Sequence, residues 1–86
     1  MKEAVVSIYP NPNTGQFTLK ADLFETVDDI SLEIYNLQGQ RLYTEYLNSD
    51  QLNIKADINI SQFASGVYRL RLKIGIDVFE LPLTVQ

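Results

Sequence analysis

Polar and apolar residues alternate with a period of two along most of this chain, the pattern of strands with one buried and one wet face. The clearest run covers residues 66–74. Tyr68, Leu70, Leu72 and Ile74 fall on one side, and Val67, Arg69, Arg71 and Lys73 on the other. Residues 16–23 repeat it, with Phe17, Leu19, Ala21 and Leu23 inward and Gln16, Thr18, Lys20 and Asp22 outward. Residues 52–60 place Leu52, Ile54, Ala56, Ile58 and Ile60 inward, and Phe79, Leu81, Leu83 and Val85 form a final run. Residues 30–37 and 41–47 are partly apolar on both faces and read as central strands. Residues 5–9 make a short opening strand.

Turn signals separate the runs. Pro10-Asn11-Pro12-Asn13-Thr14-Gly15 is the strongest. Its prolines fix φ and remove donors, Asn11 is pushed to an extended conformation by Pro12, and Gly15 can take positive φ. Asn36-Leu37-Gln38-Gly39 reads as a hairpin turn with Gly39 left-handed. Asn48-Ser49-Asp50 is a loop, Ile74-Gly75-Ile76-Asp77 a tight turn, and residues 61–65 a single 3₁₀ turn before Gly66. Seven strands at this spacing predict an immunoglobulin-like antiparallel β-sandwich, one domain over residues 1–86.

Tyr68 follows a turn and starts the most regular strand on its buried side. That is where a tyrosine corner would sit, with the backbone of residues 57–61 as acceptor. An ordinary core tyrosine fits the same position.

Composition narrows the functions. The chain has 86 residues, 45% of them hydrophobic and 21% charged, enough for a modest core. Its net charge is −4 with no basic tract, which disfavours nucleic acid and polybasic membrane attachment. No apolar run is long enough to span a bilayer. Met1-Lys2-Glu3-Ala4 does not read as a signal peptide, so an export signal is expected upstream of this segment.

Candidate chemistry is thin. Without cysteine or histidine, the usual zinc and copper sites, thiol nucleophiles and the commonest general base are missing. The serines have no obvious base, and the four glycines are isolated turn residues with no phosphate loop among them. Asp28-Asp29 with Asp77 or Asp57 is a weak loop-calcium candidate, and a solvated acidic loop explains it more simply. Asn59-Ile60-Ser61 matches a glycosylation triplet and is treated as chance. Tyr35, Tyr43 and Tyr46 are candidates for a sugar-stacking platform, although cross-strand packing explains them more cheaply. No enzyme activity and no cofactor is expected.

Four motif blocks occur in order. They are Ile8-Tyr9-Pro10-Asn11-Pro12 with Gly15, then Leu32-Glu33-Ile34-Tyr35-Asn36-Leu37-Gln38-Gly39, then Ser61-Gln62-Phe63-Ala64-Ser65-Gly66-Val67-Tyr68, then a short terminal strand. Over residues 6–86 this resembles the type A C-terminal sorting domain of type IX secretion cargo. The resemblance implies an address label on a larger exported protein. It implies passage through the periplasm and reading by shuttle proteins and the outer-membrane translocon. Removal by a cell-surface sorting peptidase would leave the cargo at the cell surface or outside the cell. No direct membrane insertion is implied, and a monomer is expected. The family often carries lysines near its end. Here Phe79-Glu80-Leu81-Pro82-Leu83-Thr84-Val85-Gln86 has an acid and a proline.

Pro82 cannot donate a ladder hydrogen bond, which places the last strand at a sheet edge. The expected recognition segment is therefore Leu81, Pro82, Leu83, Thr84, Val85 and Gln86, bound by strand addition, with the Tyr9 to Pro12 turn preparing its boundary. The competing class is a fibronectin-like or carbohydrate-binding accessory module, because a fold alone does not set function.

Overall fold

Strand follows strand through the computed structural model, which describes residues 5–25, 29–47 and 52–86. Among these residues the elements are β1 (Val5–Tyr9), β2 (Gln16–Asp22), β3 (Ile30–Tyr35), β4 (Arg41–Leu47), β5 (Asn53–Asn59), β6 (Gly66–Ile74) and β7 (Asp77–Val85), with no helix. They form two antiparallel sheets, ordered β1-β2-β5 and β4-β3-β6-β7. The predicted immunoglobulin-like sandwich is thus observed as a three-plus-four arrangement.

Period two sets which side chains meet between the sheets. Leu32 lies opposite Leu72 and Ile34 opposite Leu70 across the β3–β6 ladder. With Leu19, Ile60 and Leu83 they are fully buried. The alternate residues of β3, β6 and β7 form the outer face of the four-stranded sheet.

Three expectations change. Residues 30–35 do form a central strand, but β4 lies at the edge of its sheet. Its apolar content misled because much of it faces solvent: Tyr46 is 78% exposed, and Leu42 is also exposed. Leu52 is exposed rather than inward, since β5 begins only at Asn53. The turn at 61–65 is a single bond from Phe63 N to Ile60 O (2.9 Å), one residue earlier than expected. The loop expected at residues 48–50 lies outside the described residues.

Candidate recognition surface at the last strand

The residues before β2 fold back onto the far end of the chain. Pro10 and Pro12 stop strand β1, and the Tyr9–Pro10 and Asn11–Pro12 peptide bonds are both cis. Asn13 then closes the loop on itself. Its Oδ1 accepts from Gly15 N (2.8 Å) and its Nδ2 donates to Pro10 O (3.1 Å). These bonds satisfy a side chain that is almost completely buried. Gly15 has φ +104°, and its O accepts from Ile60 N (2.7 Å).

This loop runs along β7. Asn13 N donates to Thr84 O (3.0 Å), and Gln86 N donates to Asn13 O (2.7 Å), a parallel bridge beside Val85. Asn11 continues the contact with its side chain. Its Nδ2 donates to Pro82 O (2.9 Å) and its Oδ1 accepts from Thr84 N (3.0 Å). A strand's residues alternate in the direction of their backbone groups, so Pro82, Thr84 and Gln86 share one edge. Two asparagines therefore stand in for a missing neighbour strand along that edge.

The last strand is at a sheet edge, as Pro82 suggested, and it pairs within its sheet with β6 alone. From Pro82 to Gln86, however, that edge is not open. The 10–13 loop holds the backbone groups that strand addition would need. The expectation of open backbone groups along this edge is corrected accordingly: the loop and the end of β7 form one joined surface. Asn13 was not singled out beforehand. The signal was an Asx turn, an asparagine two residues before the amide it captures.

The other motif residues organise turns. Gly39 has φ +86° at the β3–β4 hairpin. Asn36 ties that hairpin: its Oδ1 accepts from Gln38 N (3.0 Å) and Gln40 N (2.9 Å). Asn59, the first residue of the Asn59-Ile60-Ser61 triplet, makes the same kind of bond, its Oδ1 accepting from Ser61 N (3.0 Å). Tyr68 is buried and donates its hydroxyl to Ala64 O, with its ring 5.3 Å from Phe63. This is a corner-type bond, but the acceptor is not within residues 57–61. Residues 57–59 are the end of β5, paired with β2 in the other sheet, whereas Ala64 lies in the connection just before β6.

Tyr35, Tyr43 and Tyr46 do not form a platform. Tyr43 pairs with Ile34 and packs on the core, while Tyr35 and Tyr46 belong to the other face. The Tyr35 ring is covered by the Arg71 guanidinium, 5.1 Å from its centroid, and its hydroxyl donates to Glu33 (3.0 Å). Among the described residues no group of three or more potential metal ligands occurs. Asp28, part of the calcium candidate, lies outside them.

Comparison with known proteins decides the family. The family model for the secretion system C-terminal sorting domain matches residues 7–80. The chain belongs to that family. It is a sorting signal of the type IX secretion pathway, which implies interaction with the secretion system and export to the cell surface or beyond. The chain is also 32% identical over 65 residues to ulvan lyase NLR42 of Nonlabens ulvanivorans. That match takes in 76% of this chain but 11% of the lyase, so the chain spans about a tenth of this larger relative. The family match ends at Glu80, so residues 81–86 of this sorting domain lie outside it.

Proposed function

We propose that this domain, over residues 1–86, is a folded, non-catalytic address label read as a monomer at the joined surface of the 10–13 loop and residues 81–86. It travels through the periplasm attached to a larger cargo protein. Shuttle proteins and the outer-membrane translocon read it there, and a surface peptidase removes it after export. The observation that carries the reading is the family match, together with the bonds that tie Asn11 and Asn13 to Pro82, Thr84 and Gln86. Those bonds make the end of the chain a shaped feature of the fold, not a loose tail.

The test is a reporter fused to this domain, with and without its last six residues, in a cell with type IX secretion. Surface delivery is expected for the full domain and lost for the truncation. Equal delivery of a truncation that still folds would remove the last strand from recognition.

A further inference from the structure

The cations of this chain are unevenly placed. The chain carries seven Lys and Arg residues and a net charge of −4. Of the six among the described residues, four, Arg41, Arg69, Arg71 and Lys73, stand on the outer face of the four-stranded sheet. Among the described residues, the acids on that face are Glu33 and Glu80.

These cations differ in how fully they are engaged. Arg71 donates from Nε (3.0 Å) and Nη2 (2.8 Å) to Glu80 and covers Tyr35. Arg41 donates to Glu33 (3.3 Å). Arg69 reaches Glu80 only at 3.8 Å, beyond hydrogen-bond range, and its side chain is 61% exposed.

Arg69 also stands where two shallow hollows meet, one reaching Leu37 and Tyr35, the other Leu37, Val67 and Pro82. Leu37 is 68% exposed and Val67 is 49% exposed. Asn36 fixes the hairpin that holds Leu37 out. An available cation ringed by exposed apolar groups is the composition of a docking patch.

We infer that this face docks an acidic segment of a partner protein. Arg69 takes a carboxylate of that segment, and Leu37, Val67 and Pro82 take its apolar neighbours. The inference rests on the sorting reading, which makes the partner a component of the secretion machinery. Charge complementarity selects the occupant, because this face is basic on an acidic chain. A polyanionic glycan would satisfy Arg69 but offers no apolar side chains for Leu37 and Val67. The Tyr35 ring, which could stack a sugar, is already covered.

The test uses the same reporter fusion with R69E, R69A and L37S, and with K20E on the opposite sheet as control. Arg69 is exposed and weakly paired, so its loss leaves the thermal midpoint of the purified domain close to the original. Surface delivery is expected to fall about tenfold or more for R69E and clearly for R69A and L37S, while K20E is delivered normally. Normal delivery of folded R69E and R69A overturns the inference. Failure of the unaltered fusion sinks the sorting reading instead. Retention of the purified domain on heparin at about 0.15 M salt, lost in R69E, would assign the face to a glycan and also overturn the inference.

Discussion

Gly15 lies against Ser61 so closely that a Cβ on it would sit 2.6 Å from the Ser61 Cα. Its carbonyl meanwhile accepts from Ile60 N, so the two backbones cannot move apart without losing that bond. Positive φ adds a second cost for any residue with a Cβ. G15A is therefore expected to lose roughly 2–5 kcal/mol, the sum of overpacking and left-handed strain. Gly39 has positive φ but open space around it, so G39A should lose only about 1–2 kcal/mol. Urea denaturation of both variants checks the ranking, and equal losses would refute the close-approach argument.

Tyr68 joins a buried ring to one hydrogen bond on Ala64 O. Y68F keeps the ring against Phe63 and removes only the hydroxyl. A loss of about 1–2 kcal/mol is expected, the size of one partly buried bond whose acceptor is left without its partner. Tyr68→Leu should cost more, because the aromatic packing goes as well. If Y68F matched the original protein in denaturant, the corner bond would have no part in stability.

Tyr43 gives a pH signature. Burial pushes its pKa from 10.0 up to about 12, and the Glu45 carboxylate adds to the shift by accepting the phenol's hydrogen bond and repelling the phenolate. Below pH 10 the phenol is protonated in both folded and unfolded states, so its favourable burial is fully present. Between pH 10 and about 12 the unfolded chain releases this proton first, and stability falls as pH rises. Y43F should flatten that part of the decline in the denaturation midpoint. Parallel declines for the two proteins would show that Tyr43 is not its source.

Much of the sandwich was legible from alternation, because burial on one face of a strand leaves a period-two trace in the residues themselves. Strands β1, β4 and β6 have the boundaries that the pattern gives, β2 ends one residue sooner, and β5 is a residue shorter at each end. Sheet position was harder to read. Strand β4 carries Leu42, Tyr43, Tyr46 and Leu47, and nothing local tells a central strand from an edge strand with apolar side chains in solvent. The joined surface of the 10–13 loop and β7 was legible only in its parts. Pro82 marked an edge and the Tyr9 to Pro12 motif marked a turn, yet the bonds between Asn11 and β7 link residues 71 and 73 positions apart. No periodicity reports a contact of that range.

That long-range contact can be tested at single atoms. Asn11 holds Thr84 N and Pro82 O with its side chain, whereas Gln86 N is held by the backbone carbonyl of Asn13. N11A should therefore expose the Thr84 amide and leave Gln86 bonded. Amide hydrogen exchange is expected to speed up strongly at Thr84 and much less at Gln86. The stability cost should be about 1–2 kcal/mol for two bonds at an exposed edge. Asn11→Asp keeps an acceptor for Thr84 N but loses the donor to Pro82 O, so it should retain Thr84 protection. Unchanged exchange at Thr84 in N11A would show that the loop does not cover this edge in solution, and the end of β7 would again be open to an added strand.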